Sequence, residues 1–552
     1  MVKRFINVFS FWSSFRSQTI GGAALLIASA GITSRLLGFL RDRILASQFG
    51  AGDVLDSYYA AFRIPDFIYS FLVLGALGAA FTPVFTGLLV EKKKEKAWKL
   101  TSELMHSMLF LVGVFSVFGV IFTPWLIGLI TPGFNAAKQE VIVMLTRVMF
   151  LSPLLLAVSA VFGGVLISFK QFVAYSFAPI FYNVGIIIGV LFFVPVMGEV
   201  GLAWGVVLGS FLHMFVQYPS LRNLGFRYQP HFFNFWKKDE AVWRVMKLMI
   251  PRSLAMGVNQ ISLFVVIIFA STLASGSLAV FMLANNIQSV PLGLFGVAFS
   301  LAVFPSLSAL VAEKKEKDFF MTLLQTARRI LFFVLPLSIF MIIFRAQFVR
   351  VILGGGYFNW EDTIMTFEVL KFLAISLFAQ SLIPLFSRAF FALQNTKTPL
   401  YISLVSEAVY IILILVLLSR YAVLALAIAF SVSNILNLAL LYIFLRKKIS
   451  FWDDRKFLAP VANIFFVALM AGVIAQISKS IFALTTNELD TFVEVFLQLI
   501  TGFAIGGTSF ILLCYWFQIE ELQMVKRFLL CKVLRQPETA VIAEDHPERG
   551  NW

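Results

Sequence analysis

Long apolar segments recur along nearly the whole chain, and they restrict this sequence to one class of fold. A helix that crosses ~30 Å of hydrocarbon needs ~20 apolar residues at 1.5 Å per residue. Segments of that length repeat here with short polar connections between them. Inside a bilayer each backbone N–H and C=O group needs a partner within its own segment, so these runs form helices. The sequence predicts an all-α polytopic membrane protein.

Composition agrees with this class and argues against an enzyme. Charged residues make up 13% of the chain and apolar residues 60%, whereas soluble domains carry about 25% charged residues. Cys514 and Cys531 cannot form a disulfide framework or a zinc quartet, and the four histidines are scattered. The sequence contains no P-loop, no G-x-S-x-G motif and no zinc-ligand spacing. We therefore expect a protein that is not an enzyme and needs no cofactor or metal.

We expect about fourteen spans, and the charges between them set their orientation. The spans lie near 19–47, 55–90, 101–130, 139–168, 172–195, 199–221, 245–275, 277–311, 320–353, 363–394, 398–419, 422–445, 457–480 and 491–517. Alternate connections are basic, as at 92–96, 313–317 and 446–456, whereas those between them, such as 354–362, carry few Lys or Arg residues. Since basic connections stay in the cytoplasm, both termini are predicted to be cytoplasmic and the spans to cross the inner membrane. The net charge of +15 then lies beside the membrane, so anionic lipid headgroups are the expected partner and nucleic acid is not.

Sequence matches between the two halves predict an internal repeat. Pro83 recurs as Pro305, an offset of 222 residues, and a polar turn at 168–171 recurs at 394–397, an offset of 226. Each repeat holds six spans, and an even number returns the chain to the same side, so the two repeats are parallel. Transporters commonly use this plan.

These observations divide the chain into six regions. They are a cytoplasmic N-terminus (1–18), an N-lobe of spans one to six (19–222), a cytoplasmic linker (223–244), a C-lobe of spans seven to twelve (245–448), a C-terminal pair of spans (449–517), and a cytoplasmic tail with a disordered end (518–552).

Charges inside the first span mark the candidate site. A charge at the centre of an isolated helix costs about 2.5–3.5 kcal/mol, so it usually faces a partner or a water-filled cavity. The first span carries Arg35, Arg41 and Asp42. Arg35 and Asp42 lie two helical turns apart and share a face, and Gly38 leaves space beside it. Guanidinium groups can bind phosphate in bidentate fashion, so this helix suits an anionic headgroup.

Further candidates lie on the second and eighth spans. Arg63 precedes Pro65, which can bend the helix, and amides on the eighth span suit a sugar or peptide. Snorkelling of the arginines at helix ends and hydrogen bonding of the amides between helices remain alternative explanations. The predicted substrate-binding residues are Ser34, Arg35, Arg41, Asp56, Arg63, Asn285, Asn286 and Gln288, with Gly38 and Pro65 as hinge or packing positions and Asp42 as an ion-pair partner.

Three segments carry a family resemblance. Ser34–Asp42 (SRLLGFLRD) with the following Asp56, the stretch Pro291–Ser306 and the turn Gln394–Pro399 resemble the MurJ (MviN) family of lipid II flippases. The resemblance runs across at least residues 20–450, and its first motif is the most specific.

The resemblance implies a fold of the multidrug/oligosaccharidyl-lipid/polysaccharide exporter superfamily, with two six-helix lobes in a V and a lipid-tail groove on the last two helices. It implies that lipid II, an undecaprenyl-diphosphate disaccharide pentapeptide, moves from the inner to the outer leaflet for peptidoglycan assembly. The family's functional arginines match Arg35 and Arg41, and Ser34 and Asp56 also match. Enzymes of cell-wall synthesis are a further partner class to consider.

The chain also departs from the family pattern. Tyr69 stands where family members often carry another arginine, and Asn285, Asn286 and Ser289 stand where they often carry charged residues. Span eleven has only Glu407 as an acid, so a sodium site like that of some members is not expected. The membrane potential is then the candidate driving force.

Other functions stay open from the sequence. A flippase for another undecaprenyl-linked oligosaccharide, or a drug exporter of the same superfamily, would share this fold, although an exporter of cationic drugs favours acidic cavities. A membrane-embedded glycosyltransferase needs a catalytic acid in a sizeable loop. A scaffold for cell-wall enzymes would tolerate loss of the arginines.

Overall fold

The computed structural model describes residues 20–74, 81–226, 228, 260–449, 452–485, 491–523 and 526. These residues are almost entirely helical, and within them the only β-type pairing is an isolated bridge between Gly355 and Phe358. The predicted N-terminus (1–18) and most of the predicted linker (223–244) and tail (518–552) lie outside this part of the chain.

The first half contributes ten α-helices and two short π-helical segments. They are α1 (Ile20–Phe49), α2 (Asp53–Tyr69), a π-helical segment (Ser70–Leu74), α3 (Thr82–Val90), α4 (Lys94–Ile130), α5 (Ala136–Met149), α6 (Leu151–Ser168), α7 (Phe172–Ile188), a second π-helical segment (Gly189–Phe193), α8 (Val194–Met197), α9 (Val200–Phe215) and α10 (Tyr218–Asn223).

The described part of the second half likewise consists of α-helices, with one π-helical segment. Its helices are α11 (Ile261–Ser271), α12 (Ser277–Pro291), a π-helical segment (Leu292–Val297), α13 (Ala298–Ala312), α14 (Glu316–Ile343), α15 (Arg345–Leu353), α16 (Trp360–Ile375), α17 (Leu377–Ala392), α18 (Lys397–Tyr421), α19 (Val423–Arg446), α20 (Asp454–Thr485) and α21 (Phe492–Trp516).

The long helices confirm a polytopic membrane fold. Ten helices in the described ranges are long and apolar enough to cross a bilayer, and the pair α16 and α17, bent by 44° at Ser376, makes up to eleven. These eleven match eleven of the predicted spans. The three other predicted spans are 19–47, 55–90 and 245–275; α1, α2, α3 and α11 fall within them, and residues 245–259 lie outside the described ranges. The count of fourteen stays a prediction.

The internal repeat appears in the backbone as well as in the sequence. Lys92 and Lys314, 222 residues apart, both adopt a positive φ (59° and 58°) directly after a helix. In both turns the next residue donates a hydrogen bond five residues back, which is the Schellman pattern that closes a helix. Lys170 and Gln394 form a second such pair, with φ of 57° and 56°. Their offset is 224, so the register of 226 read from the sequence was wrong by two residues.

The helices cluster into two compact units. The first comprises residues 1–283, 352–365 and 414–426. Within it α7 packs on α1 and α9, and α2 packs on α5. Glycines make the α7–α9 contact very close: a Cβ added at Gly185 would lie 2.3 Å from the Cα of Gly209, and one added at Gly189, just after α7, 2.3 Å from the Cα of Gly205. Larger residues cannot occupy this seam, because the two backbones touch.

The second unit comprises residues 284–351, 366–413 and 427–552. Within it α20 packs on α21 and α14, and α14 also packs on α17. The chain after α21 is joined to α14 by ion pairs: Arg328 donates from Nε to Glu521 at 2.5 Å and from Nη2 to Glu520 at 2.7 Å. Glu521 is 5% exposed, so this pair fixes the end of the last span against α14.

Candidate functional site

Arg41 on α1 lies at the centre of a polar cluster. Its Nε and Nη2 both donate to Oδ1 of Asp42, at 2.9 and 2.7 Å. Its Nη1 donates to Oδ1 of Asn183 on α7, at 3.0 Å. The Asp42 side chain is almost fully buried, whereas 22% of the Arg41 side chain is exposed. The guanidinium is thus held in one orientation by two neighbours while part of it stays accessible to a ligand.

The remaining predicted residues of α1 lie along the same helix. Arg35 and Ser34 are half-buried, and the backbone carbonyl of Ser34 accepts a hydrogen bond from Nδ2 of Asn183, at 3.4 Å. Among the described residues, no atom outside the backbone of α1 itself lies within 4 Å of where a Cβ at Gly38 would be. The space expected beside Gly38 is therefore present, between two arginine positions.

Arg63 on α2 is buried, with 6% exposure. It hydrogen-bonds Gln260, lies 3.7 Å from the carboxylate of Asp66, and stands over the ring of Phe264 at 5.2 Å. Pro65 lies inside α2 without ending it, and the helix changes to π geometry at Ser70. Arg63 therefore connects α2 to the start of α11 in this conformation.

Asp56 is a hub between segments that the sequence assigns to different lobes. It is 1% exposed and accepts hydrogen bonds from Nζ of Lys138 at 2.9 Å and from the backbone N–H groups of Gly276 and Ala279 at 2.8 Å each. Because Gly276 and Ala279 lie at the start of α12, the carboxylate caps that helix, where free N–H groups favour an anion. Three donors from two segments thus hold the carboxylate in place.

Asp53, one helical turn before Asp56, also accepts a hydrogen bond from Lys138 but is exposed. Its Oδ1 accepts from Lys138 at 2.6 Å and from the hydroxyl of Ser275 at 2.7 Å. The Asp53 side chain is 67% exposed, whereas that of Lys138 is 9% exposed. Lys138 on α5 thus bridges the two carboxylates.

A carboxylate in the predicted C-lobe likewise accepts a hydrogen bond from the predicted N-lobe. Asp362 on α16 accepts a hydrogen bond from the backbone N–H of Ala51, between α1 and α2, at 3.0 Å. Nearby, the N–H of Tyr357 donates to the carbonyl of Ser47 at 2.8 Å. Gly356 has φ +57°, and a Cβ there would lie 2.1 Å from that same carbonyl oxygen. Together with the Asp56 hub, these contacts close the 47–56, 275–279 and 356–362 segments on one another; we call this set the loop closure.

The predicted residues of α12 lie in the second unit. Asn285 and Asn286 are half-buried, and Gln288 is 1% exposed. Nε2 of Gln288 donates to Asn285 at 3.1 Å and to Gln380 on α17 at 3.3 Å. Gln380 in turn donates to the hydroxyl of Ser376, at the bend between α16 and α17, at 2.9 Å. In this conformation Gln288 belongs to a buried amide network, so contact with a substrate needs a rearrangement there.

Several residues of these clusters were missed by the sequence analysis. Asn183 and Gln380 are isolated amides inside apolar spans, a pattern that could have singled them out. Lys138 is a cation beside a connection otherwise poor in Lys and Arg, and this isolation could have singled it out as well. Asp362 gave no such signal, because acids are ordinary in exposed connections. Among the residues searched, no group of three or more His, Cys, Asp or Glu side chains could hold a metal ion.

Comparison with protein families identifies the family of this chain. The family model described as "Lipid II flippase MurJ" matches residues 45–496. The chain belongs to the MurJ family. This membership confirms a multi-pass transporter of the bacterial inner membrane rather than an enzyme, as the resemblance of the three segments had implied.

Curated relatives match along nearly their whole length. A protein named probable lipid II flippase MurJ from Buchnera aphidicola is 26% identical over 87% of this chain and 94% of its own. Proteins with the same name from Bdellovibrio bacteriovorus and Thermotoga maritima are 28% and 29% identical, over 92% and 90% of this chain and 96% of each relative.

Solved structures show where the same fold occurs. A structure titled lipid II flippase MurJ, inward closed conformation, matches with a TM-score of 0.72 at 24% identity, over 89% of this chain and 98% of that one. An inward-facing multidrug-resistance MATE transporter of the MOP superfamily matches with a TM-score of 0.64 at 16% identity, over 77% of this chain and 98% of the other. The MurJ fold is therefore shared with drug exporters, and fold alone does not select the substrate.

Proposed function

We propose that this protein moves lipid II from the inner to the outer leaflet of the cytoplasmic membrane by alternating access. The observation that carries the proposal is the family match over residues 45–496, which includes Asp56, Arg63 and the amides of α12. Two relatives that carry this name align with 87% and 92% of the chain. A drug exporter of the same fold remains the alternative, and the basic face of α1 disfavours a cationic substrate.

Arg35 and Arg41 are the proposed diphosphate ligands. Arg41 is oriented by Asp42 and Asn183 yet keeps part of its guanidinium exposed. A fixed guanidinium presents two parallel N–H groups to a phosphate, and little further ordering is needed on binding. The open space at Gly38 lies between the two arginines along α1, where a bulky headgroup needs room.

Asn285 and Asn286 are proposed to recognise the sugar and peptide groups, which present donors and acceptors that amides match. Gln288 would join them only after its bonds to Asn285 and Gln380 break. Arg63, held by Gln260 and Phe264, is likewise proposed to reach the headgroup in another conformation of the carrier.

Asp56 is assigned a different role from the substrate contact first expected. Its carboxylate is buried and bonded to Lys138 and to two backbone N–H groups of the loop closure. We propose that it holds one side of the carrier shut. By the charge pattern this is the outer side, since 354–362 is a connection poor in Lys and Arg and the lysine-rich connections face the cytoplasm.

The basic connections are the proposed contacts for membrane lipids, and the membrane potential is the proposed driving force. Lysines at 92–96 and 313–317 are proposed to bind anionic lipids of the inner leaflet. The free energy of one elementary charge changes by about 2.3 kcal/mol per 100 mV when it crosses the full membrane potential. This free energy is sufficient to bias the return of the empty carrier without a sodium site.

The test is complementation of a bacterial strain depleted of its own lipid II flippase, scored by lipid II exposed on the outer leaflet. The chain is expected to rescue, and Arg35→Ala and Arg41→Ala are expected to fail at equal membrane abundance. Arg420→Ala, which removes an exposed arginine at the end of α18, is the matched control and should rescue. If the unmodified, correctly inserted chain failed to rescue, lipid II would be rejected as its substrate and another polyprenyl-linked lipid would take its place in the proposal.

A further inference from the structure

Three cations gather at one end of the second unit, on three different elements. They are Arg345 at the start of α15, Lys371 on α16 and Lys479 on α20, and the elements are connected by hydrogen bonds. Nζ of Lys479 donates to the carbonyl of Ile343 at 2.7 Å. Gln347 donates to Gln498 on α21 at 2.7 Å, and Gln498 donates to the carbonyl of Lys479 at 3.1 Å.

The depth of this cluster follows from helix length. Lys479 lies 25 residues after Asp454, the first residue of α20, which is ~38 Å along the axis at 1.5 Å per residue. Ile343 lies 27 residues after Glu316, the first residue of α14, or ~40 Å. Both distances exceed the ~30 Å of a hydrocarbon core. Since both helices begin beside basic connections, the cluster lies at the opposite interface, where headgroups are found.

The charges in the cluster are not balanced. Glu368 serves two of the cations, lying 3.4 Å from Nε of Arg345 and in contact with Lys371. Among the ionic contacts of the described chain, Lys479 has no carboxylate partner and is bonded to a backbone carbonyl instead. Glu494, near Gln498, accepts from the backbone of Thr491 in a capping box. Among the described residues, these three cations therefore share one carboxylate partner, Glu368, which is an excess of positive charge within this part of the chain.

This excess runs against the usual distribution of charge in membrane proteins. Basic residues concentrate on the cytoplasmic side, and the other connections at this end are poor in them. The three side chains are only partly buried, with Arg345 at 32% and Lys371 at 28% exposure. Buried cations would need partners within the protein, whereas half-exposed ones can bind a group from the interface itself.

Apolar surface continues from the cluster along the last two spans. Val473, Ile477 and Ile481 on α20 are exposed, as are Val493 and Leu497 on α21. These side chains lie within two helical turns of Lys479 or Gln498. A ligand that fits has a phosphate at the interface and hydrocarbon chains beside the helices.

We propose that Arg345, Lys371 and Lys479 form a binding site for the phosphate of an anionic glycerophospholipid in the outer leaflet. The proposal does not depend on which lipid is transported. The three cations meet the phosphate oxygens, the exposed residues of α20 and α21 meet the acyl chains, and Glu368 weakens binding by competing for Arg345 and Lys371.

The test uses the full chain in detergent micelles with phosphatidylglycerol that carries a photoreactive group near its phosphate. After irradiation, mass spectrometry measures the crosslink yield in peptides that contain residues 345–371 or 471–484. Phosphatidylglycerol is expected to crosslink there more than phosphatidylcholine with the same chains. Lys371→Gln should lower the apparent affinity about fivefold, the usual effect of one basic residue near a lipid surface.

Two variants keep the test decisive. Glu368→Gln should raise the affinity, because it removes the competing carboxylate, and a misfolded protein cannot give that result. Lys456→Gln changes an exposed lysine at the other end of α20 and should leave these crosslinks unchanged. Equal yields from both lipids, equal effects of Lys371→Gln and Lys456→Gln, or full displacement by inorganic phosphate would each overturn the proposal.

Discussion

Arg41 shows how a single side chain can be both anchored and available. Its neighbours Asp42 and Asn183 occupy three of its N–H groups, on the sides that face α1 and α7. In low-dielectric surroundings such charge-assisted bonds are strong and fix the plane of the guanidinium. A lysine at this position would keep the charge and lose the plane, so the arrangement is specific to arginine.

A substitution of Asp56 should weaken the loop closure. Asp56→Asn removes the negative charge that accepts from Lys138 and from two N–H groups, and each charge-assisted bond contributes about 1.5–3 kcal/mol. We expect the loop closure to open more often and Ala279→Cys, buried in the closed form, to react several-fold faster with a membrane-impermeant thiol reagent. Labelling is measured by mass spectrometry on intact cells.

Asp53→Asn is the control for this prediction. Its carboxylate also accepts from Lys138, but it is 67% exposed, and exposed ion pairs contribute little. Its effect on labelling should be small. If the two variants raised the labelling rate of Ala279→Cys equally, burial of Asp56 would not explain its role.

Among the elements, α7 and α9 are joined by a very close backbone contact. Glycines at 185, 189, 205 and 209 let the two backbones touch, as small residues do at interfaces between membrane helices. The seam holds α7 in place, and with it Asn183, the partner of Arg41. Packing between two apolar helices thereby determines the geometry of a polar site.

Gly189→Ala tests this seam. The new Cβ would lie 2.3 Å from the Cα of Gly205, so the helices must separate, and overpacking of this kind typically costs about 1–3 kcal/mol. We expect a lower midpoint of thermal unfolding in detergent. Gly128→Ala on α4, where no atom lies within 4 Å of the added Cβ, should leave the midpoint nearly unchanged; a similar decrease in both would contradict the seam.

Sequence reasoning predicted the helices well and their partners poorly. Runs of ~20 apolar residues must be helical in lipid, and α4, α18 and α21 follow those runs closely. The importance of Arg41 could be inferred because a charge within an apolar run is costly. Its bond to Asn183 could not, because the two residues are 142 positions apart and only the packing of α7 brings them together.

At the scale of the whole molecule, the repeat and the membrane orientation are linked. The positive-φ turns at Lys92 and Lys314 end equivalent helices, and the six predicted spans between these points would place both turns on the same side. The charge pattern predicts that this side is cytoplasmic. An odd number of spans in either repeat would break this agreement.

Reporter fusions test the orientation directly. Alkaline phosphatase, which is active only outside the cytoplasm, should be inactive when fused after Lys94 or Lys315 and active when fused after Tyr357. A fluorescent protein that folds only in the cytoplasm should give the opposite pattern. The same fluorescence after Tyr357 as after Lys315 would mean that the orientation or the count of spans is wrong.

The loop closure relies on backbone amides and on the buried carboxylate of Asp56, and this affects how the carrier responds to its surroundings. Salt screens charges that are open to water over ~8 Å at physiological ionic strength, and buried groups much less. Asp56 is 1% exposed, and its N–H partners at Gly276 and Ala279 carry no net charge. If this face is the outer one, as proposed, the contacts that hold it shut should have almost the same strength in dilute and concentrated media.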